Sequence, residues 1–370
     1  MNNMGLKRRN STPTPPPKLV RLVERVRHHL LQVHQRTVPP YAAMLEMIMN
    51  AWAAQAITAA VDLGIADALA DGPLHGDELA SRVNADPDAL CRLLRALIGR
   101  GVFRQRRDGR YELNSLAKTL QVNAPLSVAG MARMVGSHQH REHWSYLAEA
   151  IRTGEAVIPI VHGIKGFDYL TSEPEVAKIF NRAMAETTEM TVGALLAAYP
   201  FHPYPTVVDV GGGVGRLLAA ILAATPTACG VLYDLPHAVT EAPALLDRHG
   251  IADRVRVVEG SFFDGVPTGG DIYVLKMIIH DWPDDQAVEI LRNVRAATRI
   301  GATVLLIEMV IPDHSREFAG HWTNLEMLLM QAGRERTAAE YRSLLERAGF
   351  RVTRVVPSAS PFSLVEAKAV

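Results

Sequence analysis

The sequence predicts an α/β protein: a mostly parallel sheet covered by helices on both faces, preceded by a smaller, mainly α-helical winged-helix domain. From about Thr206, apolar runs ("TVVDVGGG", "GVLYDLP", "VRVVEGSFF", "DIYVLKMIIH", "GATVLLIEMVIP") alternate with helical segments such as "VGRLLAAILAATP" and "DDQAVEILRNVRAATRI". Strands that are apolar along their whole length belong to parallel sheets buried on both faces. Upstream, Leu90, Leu93, Leu94, Leu97 and Ile98 fall on one helical face, and Asp108-Gly109 between "VFRQRR" and "RYELN" marks a hairpin turn. The 370 residues also exceed what one core of about 250–300 residues usually holds, so two domains are expected.

Along the chain, residues 1–38 read as a disordered arm. "MNNMGLKRRNSTPTPPPKLV" has no acid and a proline run, lacks the pattern of a secretory signal, and is expected to contribute nothing to assembly. Residues 39–122 form the winged-helix domain. Its first helical stretch, Tyr41 to Asp71, carries Glu46 and Asp62 as its only charges before Asp67, and a helix apolar on nearly every face needs cover on every face. A second copy of the chain supplies that cover, so a homodimer is expected. Residues 123–200 read as a helical linker that contributes to an acceptor pocket, and residues 201–370 as the catalytic domain.

Composition narrows the function. With 39 basic and 39 acidic residues the chain has no overall pull towards nucleic acid or an anionic membrane. Arg92, Arg95, Arg100, Arg104, Arg106, Arg107 and Arg110 make the winged helix locally basic, which keeps a DNA-binding sensor as an alternative. The solvated face of a structural module is favoured, and no nucleic-acid partner is expected. Cys91 and Cys229 are the only cysteines, too few for a disulfide framework, and no apolar run approaches the roughly 18 residues that span a bilayer. A cytoplasmic protein without a membrane partner is expected.

"VVDVGGGVGRLL" places Asp209, Gly211, Gly213 and Gly215 at a strand-to-helix turn. Arg216 spoils a dinucleotide G-x-G-x-x-G, and no G-K-[ST] follows. An acid-led glycine turn suits a ligand that is cationic where a nucleotide is anionic, and S-adenosylmethionine is such a ligand. Asp234, ending the second strand, is placed to accept bonds from ribose hydroxyls, and Ser261 and Phe262 in "EGSFFD" to flank an adenine.

With "DVGGGVG", "YDLP", "GSFFD", "LKMIIHDWPDD", "IEMVIP" and "GRERT" in order, the chain from about Pro40 onward resembles the class I S-adenosylmethionine-dependent O-methyltransferases of the plant caffeic acid and bacterial carminomycin 4-O-methyltransferase type. The resemblance implies a Rossmann-like class I methyltransferase sheet and a winged-helix dimerisation domain. It implies S-adenosyl-L-methionine as cofactor, S-adenosyl-L-homocysteine as product, no metal, and an aromatic small molecule as acceptor. His280 is then the general base flanked by Glu308 and Glu335. Leu235, Gly260, Lys276, Asp281 and Thr188 join the cofactor residues; Phe180, Met184, Met131, Trp144 and Asn324 line the acceptor side. Two departures stand out: Ser261 and Asn324 occupy positions where many members carry Asp. His138, His140 and His143 fit no H-E-x-x-H or paired-carboxylate pattern. A cofactor-binding relative with other chemistry is the remaining enzymatic alternative.

Overall fold

The computed structural model describes residues 14–164 and 166–370. Helix α1 (Pro17–Gln35) leads into α2 (Pro40–Asp62), each with proline in its first turn, where a missing N–H costs nothing. The arm expected to be disordered is therefore helical over 17–35, while residues 1–13 of that segment lie outside the described residues. The physical reason lies just past the proline run: "KLVRLVERVRHHLLQV" returns an apolar residue every three or four positions, the period of a one-sided helix.

In the first domain the helices Gly76–Arg82 and Pro87–Gly99 precede a short antiparallel hairpin, β1 (Arg104–Gln105) and β2 (Tyr111–Glu112). Asp86 caps the second helix by accepting from the Ala89 N–H, and Leu90, Leu94 and Leu97 are buried on its inner face. Gly109 takes the positive φ (85°) that the hairpin turn requires. On α2, Ala43, Thr58, Ala60 and Val61 are buried, whereas Tyr41, Met44, Leu45, Ile48 and Trp52 stand exposed. A long helix, Pro174–Ala198, packs against Ala129–Gly136 and leads to the sheet.

That sheet has the order β5-β4-β3-β6-β7-β9-β8. β3 (Thr206–Val210), β4 (Cys229–Asp234), β5 (Val255–Glu259), β6 (Ile272–Lys276) and β7 (Thr303–Glu308) run parallel. β8 (Phe350–Pro357) and β9 (Ser363–Ala369) close it antiparallel. Leu218, Ile221 and Leu245 cover one face and Ile290, Leu291, Val294 and Tyr341 the other, so β6 and β7 are dry on both sides. The order reverses at β3: the next strand, β4, lies on one flank, and β6 on the other. The crevice beyond the carboxyl ends there is where such sheets hold ligands.

Candidate active site

The chain leaves β6 after Lys276, turns through Met277 at φ +55°, and forms a 3-10 turn at Ile279–Asp281. His280 is therefore delivered by a turn beyond the strand and not by the strand itself. Arg336, wholly buried, holds the turn: its guanidinium donates to the carbonyls of Ile279 (2.9 Å) and Trp282 (2.7 Å) and to Asp284 Oδ1 (2.8 Å). Asp284 and Asp285 open the following helix, Asp284–Ala297, where acids face the positive end of its dipole.

His280 is buried, with Nδ1 2.8 Å from Glu335 Oε1 and Nε2 3.5 Å from Asp281. Thr323 Oγ1 donates to the same Glu335 oxygen at 2.9 Å, and Asn324 Oδ1 accepts the Glu335 N–H at 2.9 Å. Asn324 thus positions Glu335 through its amide oxygen, a task that needs only an acceptor. Glu308 accepts the N–H groups of Ile278 (3.3 Å) and Ile279 (3.0 Å). Burial alone lowers the His280 pKa, but Asp281, Glu308 and Glu335 outweigh it and push it up to about 10. Burial raises Glu308 to about 7 and Asp281 to about 6, against the pull of His280.

A second charged group lies across the strand ends. Burial, with Asp234 nearby, raises Asp209 to about 7 despite Lys276; burial lowers Lys276 to about 8 despite Glu308 and Asp209. Lys276 Nζ donates to Thr188 Oγ1 at 3.3 Å and lies over the Phe362 ring. Asp234 is oriented by the N–H groups of Gly213 and Leu235, each at 2.7 Å. Gly211 takes a left-handed φ (+70°) that favours glycine, and a Cβ there would have to displace the tip of Ile278, 2.3 Å away. Gly260 donates to the Asp234 carbonyl (3.0 Å), and Ser261 Oγ accepts the Phe263 N–H (3.2 Å).

The residues 144–351 match the O-methyltransferase domain family and 45–123 the O-methyltransferase dimerisation domain. The chain belongs to the O-methyltransferase family. It is 39% identical over 331 residues to a phenazine O-methyltransferase of Lysobacter antibioticus, covering 90% of this chain and 97% of that one. It is 39% identical, with 88% of each chain covered, to the O-demethylpuromycin O-methyltransferase of Streptomyces alboniger. Human N-acetylserotonin methyltransferase, solved with S-adenosylmethionine, superposes with a TM-score of 0.83 at 25% identity, covering 90% of this chain and 98% of that one. The protein is an S-adenosylmethionine-dependent O-methyltransferase that carries the family's dimerisation domain. Among the described residues no helix is long and apolar enough to cross a membrane.

The residues of the methyltransferase fit this cofactor. Among the described residues Asp209 Oδ2 is buried without a partner, an acceptor suited to an ammonium group. Asp209 faces both Asp234 and Lys276, and Asp234 has His237 beside it, so the unpartnered Asp209 oxygen is the acceptor left for a cation. The ring of Phe262 lies 5.9 Å from Trp282, which also touches Phe263 (4.7 Å) and Phe167 (6.1 Å). Phe180 meets Phe167 edge-on at 6.3 Å, and Met184 lies one turn further along the same helix, where its carbonyl accepts from Thr188.

Trp144 does not reach His280 directly: its Nε1 donates to Glu326 at 2.6 Å, and Glu326 also holds His140 at 3.1 Å. Met131 is half-buried on the Ala129–Gly136 helix, which packs between α2 and the Pro174–Ala198 helix. His143 pairs with His162 (2.8 Å) and is lowered to about 4, first by burial. His280, Glu308 and Glu335 present ligand-type atoms within 4.8 Å of one another. Glu308 Oε1 is taken by backbone N–H groups and Glu335 Oε1 by His280, while among the described residues the second oxygen of each is buried without a partner, and transfer from a sulfonium needs no metal. Trp282, Thr323, Arg336 and Glu326 were missed in sequence. Only Trp282 carried a signal, an aromatic ring set between His280 and the acids that follow.

Proposed function

We propose that the protein methylates a phenolic hydroxyl of an aromatic small molecule with His280 as general base. The observation that carries this is the fixed imidazole. Glu335, itself held by Thr323 and Asn324, takes Nδ1 and leaves Nε2 as the atom that accepts the acceptor's proton. A phenol with a pKa near ~10 is about one part in a thousand phenolate at pH 7, so removing its proton is the chemical task left to the protein. The carboxyl groups that push His280 up strengthen its hold on the proton it takes. The imidazole must first be neutral, and positive charge bound beside Asp209 and Asp234 favours that form.

Bound S-adenosylmethionine supplies the activated methyl group. Asp209, Asp234, Gly211, Gly213, Gly215, Leu235, Gly260, Ser261, Phe262, Lys276, Asp281 and Thr188 are the residues assigned to hold it. Phe180, Met184, Trp144, Met131 and Asn324 are assigned to the acceptor side, where aromatic and thioether side chains exclude water and align the ring. The relatives' phenazine and acetylserotonin acceptors support an aromatic substrate. No nucleic-acid role is assigned to the winged helix: Arg92 pairs with Asp88, Arg104 and Arg106 with Glu112, and Arg110 with Asp108, which spends much of its basic charge internally.

The test is transfer of label from S-adenosylmethionine to a panel of phenols, quinones and hydroxylated polycyclics. Extractable labelled ether is expected. Tight S-adenosylhomocysteine binding with no transfer to any phenol would overturn the acceptor assignment.

A further inference from the structure

We propose that α1 is an assembly element that docks, through one apolar stripe, on the acidic body of a second copy of this chain. Leu19, Val23, Val26, Leu30 and Val33 recur at alternating intervals of four and three, the spacing that keeps one seam turned towards a partner. Leu22 widens the seam. All six are 45–60% exposed, and among the described residues α1 buries no side chain. An isolated helix of this length is marginal in water, so the seam calls for cover.

Charge selects the occupant. Residues 1–36 hold eight basic side chains and one acid, Glu24, a formal +7. The whole chain is formally neutral, so residues 37–370 carry −7. Lys18, Arg25 and Arg36 flank the seam on one side and Arg27 on the other, so two α1 helices repel each other while α1 and the body of another copy attract. An anionic bilayer would attract α1 but repel that body. Position agrees: α1 ends where α2 begins, tied to it by His34–Glu46 (3.7 Å) and Gln35–Met47 (3.8 Å). The exposed Tyr41, Met44, Leu45, Ile48 and Trp52 of α2 continue the apolar surface into the dimerisation domain. Because α1 precedes both family matches, it adds to the family's interface instead of restating it.

The test is sedimentation equilibrium on the full chain, on Val26→Glu/Leu30→Glu, and on Arg21→Glu, which makes the same charge change on the opposite side of the helix. Unchanged S-adenosylhomocysteine affinity confirms that each variant is folded. The stripe variant is expected to dimerise about tenfold or more weakly, and Arg21→Glu within about threefold of the parent. Equal dimerisation of all three, or equal weakening of both variants, would overturn the proposal. So would stripe-dependent sedimentation with phosphatidylglycerol-containing vesicles while the dimer constants stay the same, since a lipid surface is then the partner.

Discussion

Replacing His280 tests the chemistry most directly. His280→Ala leaves the buried Glu335 with only the Thr323 hydroxyl on its paired oxygen, beside the buried Glu308 and the partly buried Asp281. Removing one partner of a buried charged pair costs about 3–5 kcal/mol of stability, so His280→Gln, which keeps volume and a hydrogen bond to Glu335, is the cleaner probe. Turnover should fall by about 10²–10⁴, or roughly 3–5 kcal/mol on the barrier, with S-adenosylhomocysteine affinity nearly unchanged. The deficit should depend on acidity. The native rate levels off once His280 is neutral in the complex, while the variant keeps rising until the phenol itself ionises. It should therefore shrink at high pH, and shrink at pH 7 for a phenol acidic enough to be ionised already. Stability follows a separate course. His280 is raised from 6.5 to about 10, so its contribution is fully present below about 6.5 and is lost as pH rises through about 10. The gap in Tm between native and variant should close over that range. Native-like turnover at pH 7, or a deficit indifferent to both pH and acceptor acidity, would refute His280 as base and leave alignment alone to carry the reaction.

Asp234→Ala removes the acceptor for the Gly213 and Leu235 N–H groups and, on the proposed assignment, for the ribose, and should weaken S-adenosylhomocysteine by about 1.5–3 kcal/mol. Calorimetry giving parental affinity in a folded variant would remove Asp234 from the site. Arg336→Met leaves Asp284 to Arg334 alone and frees the carbonyls of Ile279 and Trp282, so Tm should drop by roughly 6–20 °C. Arg336→Lys should not restore it, because an ammonium cannot span those acceptors in one plane. A scanning calorimetry trace matching the parent would show that the turn holds His280 without Arg336.

What the sequence made legible was local. The five parallel strands announce themselves as unbroken apolar runs, and Asp209 with its glycines occupies a single turn. β8 and β9 were not among the strands expected: Arg351, Arg354 and Glu366 interrupt their apolar pattern, and their pairing depends on β7 being present. α1 was hidden by the proline run before it. Thr323, Glu326 and Arg336 act through contacts with residues far along the chain, so no spacing betrays them. The basicity of His280 was illegible for the same reason. Its own segment supplies Asp281 alone, and the value taken from free histidine misses Glu308 and Glu335, which arrive from β7 and from the loop before the Ala338–Arg347 helix.

The two charged groups follow from one feature of the fold. β4, β3, β6 and β7 lie side by side about 5 Å apart and end at one edge, so Asp234, Asp209, Lys276 and Glu308 form a row there without any loop having to reach across. Three carboxylates against one amine give that edge a negative potential, which a dry, two-sided sheet screens poorly. At the Asp209 end the potential favours a cationic ligand. At the Glu308 end, reinforced by Glu335 and Asp281, it raises the basicity of His280. The ligand's charge and the imidazolium therefore compete for the same field. On the proposed assignment, a cation bound at the first end would weaken the hold on the proton at the second and so free the proposed base once the methyl donor is in place.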